Sequence, residues 1–126
     1  MSGIHQEVTL SAAPARIYQA LVDSKRFSEL TGAPASGDST EGAHFSVFGG
    51  HIIGRHVELV PGKRVVQAWR AKNWPEGLYS IVRFELLADG GGTKLVFDHD
   101  GFPAEMKEQL ASGWQANYWD KLSSAS

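Results

Sequence analysis

Cysteine is absent from the 126 residues. That excludes a disulfide framework, a thiolate zinc knuckle and a thiol nucleophile. Neither sign of charge dominates: 12 Lys and Arg stand against 14 Asp and Glu, a net charge of -2 with a pI of about 6.2. A basic face for nucleic acid and a polybasic membrane anchor are therefore not expected. No apolar run approaches the roughly 20 residues that cross a bilayer. The stretch Met1–Glu7 has neither the basic nor the apolar region of a secretory leader, so the cytoplasm is the default expectation. There is no internal repeat and no linker, and residues 1–126 read as one domain, with Ser123–Ser126 expected to fray. What remains is a chain that is 42% hydrophobic, with four Trp, six Phe and three Tyr, enough to bury a core.

Periodicity divides that apolar content into elements. Ile4, Val8 and Leu10 alternate with His5, Glu7 and Thr9, the period of a strand with one buried face. Pro14 suits a first helical turn, and Ile17, Ala20 and Leu21 make an apolar stripe behind it. Ser24 can cap a second short helix carrying Phe27 and Leu30. Residues 32–42 are rich in Gly, Ser, Pro and Asp and read as a loop. Five strand-like runs come after it: His44–Phe48, His51–Val60, Arg64–Arg70, Tyr79–Leu87 and Thr93–His99. Short Gly- and Pro-containing joints connect them, which implies antiparallel pairing, because a parallel crossover needs a dozen or more residues. Met106, Leu110, Trp114 and Tyr118 then recur at spacing four, with Trp119 and Leu122 beside them, on a helix of about five turns. The order predicts an α+β fold in which an antiparallel sheet of about six strands wraps a long C-terminal helix.

Four stretches carry a family resemblance over nearly the whole chain. They are Ala13–Leu21; Gly54–Trp69, a strand, a Pro-containing turn and a strand ending in Trp; Gly92–His99; and Gly113-Trp114 in the last helix. Together they resemble the Hsp90 ATPase activator homologue family of the START-like, helix-grip superfamily. Thr31–Ala35 and Asn73–Gly77 look like the C-terminal domain of the eukaryotic co-chaperone. The resemblance implies the helix-grip fold and a contact with an Hsp90-type chaperone. That contact should be weak, because the co-chaperone's additional N-terminal domain has no counterpart here. Relatives elsewhere in the superfamily bind hydrophobic small molecules between sheet and helix, and a few are enzymes.

Chemistry-bearing patterns are sparse. His51 and His56 lie five apart, a spacing that puts strand residues on opposite faces, and no His-Glu-x-x-His is present. No metal or cofactor is expected. Asp98-His99-Asp100 suggests a carboxylate-oriented base, but strand neighbours point to opposite faces, so Asp98 does not hold His99. Gly49-Gly50 and Gly90–Gly92 precede strands and read as hairpin turns rather than phosphate loops.

The aromatics are the informative set. Trp69, Phe84, Phe97, Trp114 and Tyr118 fall on apolar faces, and with His99 as a polar member they line any gap between sheet and helix. They fill the core or they line a cleft for an apolar ligand, and periodicity does not choose. Trp74 lies in the turn Lys72–Gly77, where it either folds over the sheet edge or stands out as a partner contact. The expected function is non-enzymatic binding, of a chaperone or of a hydrophobic small molecule. The alternative is a polyketide cyclase-like enzyme using the same cleft, which needs converging polar groups; Arg55, Gln67 and His99 are the candidates.

Overall fold

The computed structural model describes residues 3–125. Seven strands form one antiparallel sheet in the order β1-β7-β6-β5-β4-β3-β2. They are β1 (Ile4–Leu10), β2 (Ser36–Gly37), β3 (His44–Val47), β4 (Ile52–Val60), β5 (Arg64–Ala71), β6 (Ser80–Asp89) and β7 (Gly92–Asp100). The helices α1 (Pro14–Val22) and α2 (Ser24–Thr31) carry the chain from one edge of the sheet to the other. The helix-grip α+β fold is as expected, with one strand more than the six predicted. The extra strand is β2, two residues inside the loop over 32–42 that pair with Phe45 and Ser46. Two exposed small residues leave no periodicity to read.

Local chemistry explains the helix ends. Pro14 occupies the first turn of α1. The cap of α2 is Asp23 rather than Ser24, and its carboxylate accepts from the Arg26 backbone N–H at 3.1 Å. Gly32 closes α2 in the left-handed region at φ 75°. At Gly54 in β4 a Cβ would strike the Phe45 ring and the Ala68 carbonyl, so only glycine lets β3 and β5 pack so closely there. A bulge between His56 and Glu58 shifts the β4–β5 register.

The C-terminal helix has four consecutive parts: a 3₁₀ turn (Ala104–Met106), α3 (Lys107–Trp114), a π turn (Gln115–Trp119) and α4 (Asp120–Ala125). Of the predicted stripe, Trp114 and Tyr118 are buried with Trp119 and Leu122, whereas Met106 and Leu110 are half-exposed. The helix therefore presses on the sheet with its C-terminal half and lifts away with its N-terminal half. Helical structure continues through Ala125, where fraying was expected from Ser123; Ser126 lies outside the described residues. Trp119 also ties the helix to β1, its indole N–H donating to Gln6 Oε1 at 2.6 Å. No helix among the described residues is long and apolar enough to cross a membrane.

Candidate functional site

Period two places Val65, Gln67 and Trp69 of β5, Val82 and Phe84 of β6, and Leu95, Phe97 and His99 of β7 on the inner face. The C-terminal helix drops Trp114 onto their centre. Its ring lies 4.3 Å from Phe97, 5.2 Å from Trp69, 4.3 Å from Tyr118 and 5.9 Å from Trp119, centroid to centroid. Phe84 and Phe97 meet at 5.1 Å below it. Phe84, Phe97 and His99 are thus sealed in a packed aromatic layer, within the distances at which rings attract.

His99 is fully buried and completely engaged. The Trp114 indole N–H donates to His99 Nδ1 at 3.0 Å. With Nδ1 accepting, the proton sits on Nε2, which donates to Ser80 Oγ at 2.7 Å, and Ser80 donates onward to the Trp69 carbonyl at 2.8 Å. Burial pushes the His99 imidazole down to about 3, so the ring is neutral near pH 7. Neither ring nitrogen is left for a substrate. The expectation that His99 lines the cavity as its polar group is corrected: it holds the helix to the sheet from within.

An opening does exist, displaced toward the lifted half of the helix. A cleft of about 450 Å³ runs between α3, the π turn and the ends of β4 and β5. Trp69, Trp114 and Tyr118 form its wall, and Phe48, Ile52 and Leu110 complete the apolar lining. His51, Gln109 and Asn117 supply polar groups. Sequence reasoning missed this rim. Leu110 belongs to the predicted stripe and Ile52 to a predicted strand, but Phe48 reaches the cleft through a left-handed backbone at φ 53°, which only the adjacent Gly49-Gly50 hints at. Gly113 faces the opening.

Trp74 folds back, and the alternative of an exposed contact is corrected. It is 6% exposed and lies edge-on to Trp69 at 5.7 Å. The reason is Arg70, whose guanidinium donates to the Trp74, Pro75 and Leu78 carbonyls and curls the turn over the sheet edge. The indole N–H groups of Trp69 and Trp74 are both buried without a hydrogen-bond partner.

The three polar candidates for chemistry do not converge. Arg55 is exposed and donates to His44 Nε2 at 2.6 Å on the outer face. Gln67 is buried on the inner face, 3.5 Å from His56 Nδ1, beside a separate small void walled by Leu21, Phe27 and Val47. Burial lowers the basicity of His56. No group of three metal-ligating side chains occurs among the described residues.

Comparison with known proteins agrees with this architecture. The family described as "Activator of Hsp90 ATPase homolog 1-like protein" matches residues 11–126. The human activator of 90 kDa heat shock protein ATPase homolog 1 is 30% identical over 114 residues, covering 90% of this chain and 34% of that protein. The Dictyostelium discoideum homolog is 31% identical over 111 residues, 87% of this chain and 29% of that protein. This chain therefore spans about a third of the length of those relatives. An HSP90 activator from Plasmodium falciparum superposes with a TM-score of 0.91 at 25% identity, covering 99% of this chain and 96% of that one. CalU16 from Micromonospora echinospora, at 24% identity and a TM-score of 0.81 over 95% of this chain and 73% of that one, shares the fold.

Proposed function

This chain belongs to the Activator of Hsp90 ATPase homolog 1-like family, and from that premise we propose that it is a non-enzymatic binding domain that contacts an Hsp90-type chaperone through its surface. One observation carries this reading. The one buried polar group suited to proton transfer is already engaged: His99 is fully buried and bonded on both ring nitrogens, so it supports the helix–sheet packing rather than acting as an acid or base. A single small domain offers a small interface, and small interfaces are transient. The expected affinity for the chaperone is about micromolar, with at most modest stimulation of its ATPase. Titration of the labelled chain with the intact chaperone, with and without nucleotide, tests this. No binding at the highest reachable concentration would sink it.

The cleft beside Trp69 favours a second reading, capture of an apolar small molecule. An apolar fluorescent probe or a fatty acyl compound would then raise the melting temperature by an amount that grows with the logarithm of its concentration above the Kd. Gly113→Leu should abolish the effect, since a Cβ there meets only the Asn117 amide at ordinary contact distance and the added bulk fills the cleft. A broad hydrophobic library without a single binder argues against this role. Turnover of a bound compound would favour a polyketide cyclase-like enzyme.

A further inference from the structure

The outer face of the sheet carries an unusual division of charge. On its β6–β7–β1 side the cations are matched. Arg83 faces Asp98 at 3.3 Å and Glu85 at 3.7 Å, His5 bridges Asp98 and Glu7, and Lys94 reaches Glu7 at 3.2 Å. Arg64, at the far end of β5, holds Glu58 at 2.7 Å. The β4–β5 side differs. Arg55 touches only the His44 imidazole, and Arg70 spends its hydrogen bonds on backbone carbonyls of the Trp74 turn. Neither meets a carboxylate among the described residues.

Between these two unneutralised cations lies apolar surface. Ile53 pairs with Arg70, Arg55 with Ala68, and Ala68 with Ile81, so the five strand positions lie in two adjacent cross-strand rows. Arg70 sits over the Tyr79 ring at 5.7 Å. Tyr79 and Ile81 are 49% and 47% exposed, a heavy exposure for side chains of that size. Ile53, Arg55, Ala68 and Tyr79 share a shallow groove of about 520 Å³ with His44 and Phe45. An apolar strip with a tyrosine and two arginines is the composition favoured at the centres of protein interfaces.

We infer that this outer-face strip, centred on Arg55, Ile81 and Tyr79, is the docking surface for an acidic protein surface bearing exposed apolar side chains. Charge complementarity selects the occupant: two arginines without carboxylates repel a basic partner and attract an acidic one. A second copy of the same strip would bring Arg55 and Arg70 toward their own counterparts, which is electrostatically unfavourable. Resting on the chaperone reading, the inference assigns the contact to a face opposite the aromatic core and the cleft.

The test uses the whole chain and the intact Hsp90-type chaperone, with affinity read by titration at two salt concentrations. Arg55→Glu should weaken binding at least tenfold and reduce its salt dependence, because it reverses a charge without disturbing buried packing. Ile81→Asp should weaken it comparably. A thermal melt establishes that each variant is folded. Gly113→Leu, in the cleft, should bind as the native chain does. If the native chain binds and neither outer-face variant weakens it, this surface is wrong while the chaperone reading stands. If the native chain does not bind at all, both fall. Concentration-dependent dimerisation that Arg55→Glu strengthens would overturn the inference in favour of self-association through this face.

Discussion

The inner face of the sheet buries its polar groups neutral, whereas the outer face keeps its ions in water and pairs only some of them. Inside, His99, Ser80 and the Trp114 indole form a chain that ends on a backbone carbonyl, and His56 and Gln67 sit together. Outside, Arg83, Asp98, His5, Glu7, Lys94 and Glu85 form a solvated network. The difference arises from solvent. A buried charge without a partner is costly, so the inner face selects groups that can be uncharged; on the outer face a pair gains little and an unpaired cation costs little. Arg55 and Arg70 are tolerated there without counter-ions for that reason, and this leaves them available for recognition.

The sharpest way to break this contrast is Trp114→Ala. It removes the ring at the centre of the aromatic layer and orphans His99 Nδ1. A loss on the order of 3–5 kcal/mol is expected in reversible urea unfolding. A shift of the midpoint close to zero would mean that the helix does not clamp the sheet.

Acidification probes the same face from its titrating group. The unfolded chain takes up a proton on His99 near pH 6.5, while the folded chain refuses it until about pH 3. The unfolded state therefore binds more protons in that interval, and stability falls as pH drops through it. Between pH 7 and pH 5 this one group should account for about 2 kcal/mol. His56, lowered by burial, acts in the same direction. His99→Leu should flatten the fall in urea midpoints over this range relative to the native chain, even though it is less stable at pH 7. An unchanged pH profile would place the acid sensitivity elsewhere.

Ser80→Ala should be milder. It strands the His99 Nε2–H donor at a cost of about 1–3 kcal/mol. The smallest effect belongs outside: Arg83→Ala breaks ion pairs at a half-exposed side chain and should change stability by about 0–1 kcal/mol. If the two variants proved equally destabilising in the same unfolding assay, the distinction between the faces would fail.

Much of the inner face was legible because period two is a strong constraint. Val65, Gln67, Trp69, Phe84, Phe97 and His99 point inward as their alternation demands. Asp98 points outward, away from His99, for the same reason. Turns obey no such rule. Trp74 is tucked in by three hydrogen bonds from Arg70, which lies on the preceding strand outside the stretch Asn73–Gly77, so that stretch does not encode the arrangement by itself. The cleft was legible only in part: its wall comes from the predicted stripe, but its opening depends on how far α3 stands off the sheet. The outer-face strip was invisible, since Arg55 was expected among the converging polar groups of the cleft and alternation does not say which charges find partners.

The π turn at Gln115–Trp119 has a consequence for how this chain tolerates changes in length. In an uninterrupted α-helix the residue five places on lies about 140° round the axis, so Trp119 would face away from Trp114. Here the Asp120 N–H reaches back to the Gln115 carbonyl, and the two indoles stack at 21° on the same side. The turn behaves as a single inserted residue, absorbed without displacing the last turns of the helix. Excision of Ala116, which is exposed, would bring Tyr118, Trp119 and Leu122 to positions three, four and seven beyond Trp114, the stripe of an ordinary α-helix. A codon deletion at this place should therefore be survivable, with a cooperative melt and native-like aromatic circular dichroism. The same deletion at Ala111, N-terminal to the turn, should not be, because it throws Trp114 out of phase with the half of the helix that precedes it.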